Sequence, residues 1–228
     1  MQTFAKQFTE PIFDRLANYR TELERHPFLA AAREDKLPED VLIEFAFLQF
    51  ADSILWIPML AQMKSKATRS ARLARAIGDN IGHEAGLEGT SHVTLAVRLM
   101  RSLGARSLEG MPTHVLERSA ALWISDAFER FSEPEIAGWL LGAETLVPVM
   151  FAAVLPAFER LGCDATYFSE HVAVDGDEHA AWMREAVLDV VGLHGESAVA
   201  DVMSGMADAF EETLEVPEDL WRRRCASH

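Results

Sequence analysis

Only two cysteines, Cys163 and Cys225, occur in the 228-residue chain, so no disulfide framework is implied. Basic residues are also in deficit: 21 Lys and Arg stand against 36 Asp and Glu, a formal charge of −15. That field repels nucleic acid and anionic membranes, and neither is expected as a partner. The opening MQTFAKQFTEPIFDRL lacks the uninterrupted apolar core of a signal peptide, so a cytoplasmic location is expected. Internal repeats, low-complexity tracts and long linkers are lacking, and no segment alternates in the two-residue period of a strand. One long apolar stretch stands apart: 137–158 carries a single charge, Glu144. It contains Gly142, Pro148 and Pro156 and has neither a second span nor a basic flank beside it. It therefore reads as a buried central helix rather than a membrane span.

What is present has the period of helices. Apolar residues make up 49% and charged residues 25%, the balance of an ordinary globular protein, and the length suits one large domain over 1–228. Helix is expected over 4–24, with a break at His26-Pro27 because proline disfavours helical geometry in the residue before it. Pro38-Glu39-Asp40 opens a second helix to about 63, with acids at the positive end of its dipole. A third spans about 69–84, Gly86 and Gly89 then loosen the chain, and helix resumes near Ser91 and ends at Leu103-Gly104. Pro112 opens a helix to about 131. Ser132 and Glu135 form a capping box at the head of a helix ending near Gly162. Asp164 caps a helix continuous from 167 to 191, and a last one covers 197–215. The expected fold class is all-α, a bundle of about seven helices.

Acidic residues are plentiful, so only carboxylates and histidines placed where a core should be are informative. Glu144 lies in GWLLGAETLVPVMFAAVLPAF, where an ionised, unpaired carboxylate would cost several kcal/mol. A metal, an arginine or a proton must compensate it; the plain reading is a protonated or hydrogen-bonded core glutamate. In YFSEHVAVDGDEHAAW, His171, Asp175 and His179 recur every fourth residue and share one stripe of a helix. Nitrogen and oxygen donors alternating along a stripe suit a borderline transition metal, against the alternative of a solvated acidic face. In NIGHEAGLEGTSHVTL, Glu84 closes one helical stretch and His92 opens the next; Glu88 is a possible substitute, and His83 is expected to point away from that face. Three carboxylates and three histidines on three segments have the donor count of a carboxylate-bridged diiron centre. Ferritin-like bundles use two Glu-x-x-His pairs, however, and no Glu-x-x-His occurs in this chain.

These motifs resemble another group, the haem-oxygenase-like diiron oxidase and oxygenase superfamily, which shares its fold with the thiaminase-like and quinone-synthase-like proteins. The matching stretches are Glu84-Ala85-Gly86 with His92-Val93-Thr94-Leu95, Glu144 in GAETLVPV, and His171-Val172-Ala173-Val174-Asp175, with His26-Pro27-Phe28-Leu29 as a further similarity. The resemblance spans most of the chain. It departs at the last histidine, which usually lies three residues after the aspartate; here that position is Glu178 and His179 follows it. The resemblance implies two Fe(II)/Fe(III) ions and O2 as co-substrate. Glu84 would bridge the irons, His92 and Glu144 would complete one, and His171, Asp175 and His179 the other, with Glu178 as the alternate ligand. It also implies oxidative cleavage, decarboxylation or N-oxygenation of a small amino-acid- or fatty-acid-like substrate, often in natural-product biosynthesis, and a homodimer.

Two rival readings share the fold. A thiaminase-like hydrolase needs a cysteine nucleophile, and neither Cys163 nor Cys225 is placed as one. A non-enzymatic helical interaction protein has no use for a core carboxylate where leucine would do better. Haem would need an axial histidine in the first helix, for which His26 at its end is the sole candidate. Trp56, Trp139, Phe151 and Trp182 are candidates to line an apolar pocket, although plain core is the ordinary role of such residues.

Overall fold

The computed structural model describes residues 2–87, 89–105, 117, 130–174 and 178–225. Among them there is no strand, and nine helices carry the fold. The first, α1 (Gln2–Glu24), passes through Pro11 without interruption and buries the stripe Ile12, Leu16, Tyr19 and Leu23. The break at His26 is followed by a separate short helix, α2 (Pro27–Arg33), with proline in its first turn. His26 is its N-cap: Nδ1 accepts from the Phe28 amide at 3.2 Å, while Nε2 lies 3.0 Å from Glu218. With both ring nitrogens so engaged, His26 is a capping residue and not a haem ligand.

Next come α3 (Glu39–Lys66), α4 (Ala71–Glu84) and α5 (His92–Ser102), the last two capped by Ser70 and Ser91. The expected helix over 112–131 falls almost wholly outside the described residues. The central α6 (Glu133–Arg160) begins with the expected capping box, Ser132 with Glu135. After it, Asp164 accepts from the Thr166 amide and α7 (Thr166–Val174) follows. Of the helix expected over 167–191, the described residues show α-helix to Val174, π-helical geometry at Glu178 and His179, and α8 (Ala180–His194) directly after them. The final α9 (Ala198–Leu220) runs past its expected end, takes Pro217 into its last turn and leads into a π-helical turn, Trp221–Cys225.

Helix α6 is the axis of the bundle, packing on α9, α8, α7, α2 and α1. Both α3 and α6 are long and apolar enough to cross a membrane, but two-thirds of each apolar window is buried inside the bundle, as core helices require. The α6–α9 contact is backbone against backbone. A Cβ added at Gly138 would meet the carbonyl of Val202, and one at Gly205 the carbonyl of Glu135. Glu133 pins a second pair of helices. Its Oε1 accepts the amides of Ser70 (2.9 Å) and Arg69 (3.0 Å), and its Oε2 lies 2.8 Å from His194 Nε2. Burial alone would raise its pKa, yet these donors hold the carboxyl below the usual range. From that pin, α4 and α6 advance together: ten residues to Asn80 and eleven to Glu144 correspond to roughly 15–17 Å of helix, so the two positions arrive level.

Candidate metal centre

Five segments deliver polar side chains to that level: α4 (Asn80, His83, Glu84), α5 (His92), α6 (Glu144), α7 (His171) and the residue before α8 (His179). The turn from α4 to α5 depends on Gly86, whose φ of +76° suits glycine and whose missing Cβ leaves room for the backbone of Ser91. That turn folds His92 back over the end of α4. Glu84, His92, Glu144, His171 and His179 are each at most 7% exposed, so none has water enough to solvate a charge.

The side chains form two groups. In one, Glu84, His92 and His171 each place a donor atom within 4.8 Å of the others. Glu84 Oε2 lies 2.8 Å from His92 Nδ1, and the rings of His92 and His171 are 4.2 Å apart. His171 Nδ1 lies 2.7 Å from the Tyr167 carbonyl, which can only accept, so Nδ1 carries the hydrogen and Nε2 keeps its lone pair. In the other group, Glu144 Oε1 accepts from Asn80 Nδ2 at 2.5 Å and Oε2 from His179 Nδ1 at 3.2 Å. His83 stands between the groups, its ring 4.9 Å from both His92 and His179 and edge-on to each.

This arrangement differs from expectation in two respects. His83 does not point away: with His92 folded over the end of α4 and His179 beside it, two successive residues of the helix both reach the cluster. His171 sits with Glu84 and His92, whereas His179 sits with Glu144. His179 is fully buried, whereas Glu178 is exposed. Asp175 and Glu88 lie outside the described residues. Asn80, His83 and Tyr167 join the site beyond the residues that the sequence motifs single out. Asn80 had a usable signal, being polar on the otherwise apolar stripe Leu73, Ile77, Asn80; the backbone acceptor at Tyr167 had none.

Burial, aided by His92, holds the His171 imidazolium well below its usual range. Burial and then His92 and His179 lower His83 likewise. Burial raises the Glu84 carboxyl, with His92 pulling the other way. The result is a desolvated set of imidazoles and two carboxyl groups, neither of which meets a lysine or arginine among the described residues. Buried nitrogen and oxygen donors with no basic side chain beside them fit a divalent transition metal. A cavity of about 130 Å³ adjoins them, with Glu84, Glu144 and His171 in its wall and Trp56, Trp139 and Phe151 supplying apolar surface. Trp182 instead lies against His179, the rings tilted at 32° with centroids 4.8 Å apart. Cys163 is no activated nucleophile: burial raises its thiol, which donates to the Phe158 carbonyl at 3.1 Å.

Residues 40–223 match the family described as iron-containing redox enzymes. No curated protein matches the chain. Three solved structures share its architecture. A TenA homolog from Pseudomonas syringae pv. tomato str. DC3000 superposes with a TM-score of 0.74 at 13% identity, covering 94% of this chain and 93% of that one. A domain of unknown function with a heme oxygenase-like fold from Shewanella denitrificans OS217 gives 0.70 at 15% identity, covering 93% and 91%. A CADD-like protein of unknown function from Nostoc punctiforme PCC 73102 gives 0.71 at 14% identity, covering 98% and 97%. At such identities the likeness establishes the fold alone. The match over 40–223, more than half of the sequence, places the chain in a family: it belongs to the iron-containing redox enzymes, on a haem-oxygenase-like all-α fold.

Proposed function

We propose that this protein is a non-haem diiron oxidase or oxygenase acting with O2 on a small amino-acid- or fatty-acid-like substrate, in a natural-product biosynthetic setting. The observation that carries the reading is the convergence of Glu84, His92, His171, Glu144 and His179, from five segments, in one dry cluster. Glu84, His92 and His171 would hold one ion. Glu144 and His179 would hold the other, with Asp175 joining them on the strength of the family resemblance. Bound iron supplies the electrons and Lewis acidity that O2 chemistry needs and no side chain has. The chain's own residues set the surroundings. Tyr167 holds the His171 tautomer, α6 and its neighbours exclude water, and the apolar cavity receives the substrate beside Glu84, Glu144 and His171. A cytoplasmic homodimer that binds neither nucleic acid nor membrane belongs to the same proposal.

Anaerobic Fe(II) titration of the purified chain tests it. Two irons bind per chain, and O2 then oxidises them with a transient visible absorption. Glu144→Ala and His171→Ala each lose uptake. A wild-type chain that takes up no iron overturns the reading.

A further inference from the structure

We infer that Asn80 is a positioning residue for the Glu144 carboxylate and that this contact sets how tightly the second iron is held. The inference rests on the two-iron reading. Asn80 lies on the buried stripe of α4 between Ile77 and Glu84, where leucine would pack more economically, and it is fully buried. Its Nδ2 donates to Glu144 Oε1 at 2.5 Å. The opposite amide orientation would set two acceptors against each other, so the carboxylate dictates which way the amide points. Its Oδ1 is buried without a hydrogen-bond partner among the described residues. A residue retained for packing alone would not leave a buried oxygen unsatisfied.

The consequence for Glu144 is geometric. Asn80 holds Oε1 and His179 Nδ1 lies on Oε2, so Asn80 fixes the plane in which the carboxylate presents its remaining lone pairs to a metal. Asn80 is also one helical turn before Glu84. Helix α4 therefore carries a donor to one group and a ligand of the other, and ties the two together. A group that fixes a ligand carboxylate in this manner changes metal affinity without touching the metal.

The experiment is anaerobic Fe(II) calorimetry on the whole chain as wild type, Asn80→Leu, Asn80→Ser and Asn80→Ala, with melting of each metal-free protein alongside. Asn80→Leu is near in volume and removes both the donor and the unsatisfied oxygen, so its metal-free form melts no lower than wild type. Its first binding step stays within about twofold and its second weakens at least about tenfold. If leucine lowers the melting point, the decision falls to the small pair: alanine, with no donor, weakens the second step more than serine does. Unchanged affinities in Asn80→Leu overturn the inference while leaving the two-iron reading intact. Equal weakening of both steps, or equal behaviour of serine and alanine, also overturns it by revealing a merely structural role. A wild type that binds fewer than two irons removes the reading and the inference together.

Discussion

At the scale of single residues, the fold keeps His83, Glu84 and His171 away from their ordinary protonation equilibria. His171 is neutral in the folded chain because burial, reinforced by His92, opposes the imidazolium. The unfolded chain accepts a proton there near pH 6.5 that the native state refuses. His171 is therefore neutral in its effect above that pH and destabilising as pH falls through it. Glu84 has the opposite sign: burial raises its carboxyl, so its contribution to stability declines as pH rises from the ordinary range near 4.5. Replacing His171 by leucine isolates the first effect. In metal-free protein, the stability difference between His171→Leu and wild type shifts towards the variant by roughly 1 kcal/mol between pH 7.5 and 5.5. Chemical denaturation at the two pH values measures it, and a difference that does not change with pH contradicts the assignment.

At the scale of elements, the site depends on how closely helices approach and where they break. Gly138 of α6 and Gly205 of α9 let two backbones touch, and Gly142 faces Ala209 one turn further along. Gly138→Ala forces α6 and α9 apart and destabilises the protein by about 2–3 kcal/mol, although alanine is the better helix former. Thermal melting checks this; a neutral or stabilising result would mean that the helices slide past the added methyl. The α7–α8 region supplies both His171, which meets Glu84 and His92, and His179, which meets Glu144.

At the scale of the whole molecule, a metal bound only by the folded state must stabilise it by mass action. Fe(II) at about a hundred times its dissociation constant contributes roughly 2.7 kcal/mol, which for a chain of this length raises the melting temperature by about 5–10 °C. Anaerobic melting with Fe(II) and with a chelator measures the shift. An equal melting temperature in both would separate the cluster from metal binding and leave a purely structural polar core.

The helical period, the caps at Ser132 and Asp164 and the core carboxylate Glu144 were legible in the sequence because they are local: each follows from the spacing of residues within one element. The all-α class and the family resemblance rest on such features. The grouping of the ligands was not legible, because it depends on contacts between elements. The spacing within 167–191 puts His171 on one stripe with His179; the fold of α5 over the end of α4 brings His92 and Glu84 to His171 instead. Asn80 and His83 joined the centre for the same reason. What surrounds a side chain buried between helices is set by the register of those helices, here the Glu133 pin between α4 and α6, and no spacing within a single helix records it. The sequence by itself determined the elements and the chemistry of the donors. Only the tertiary structure decided which donors meet.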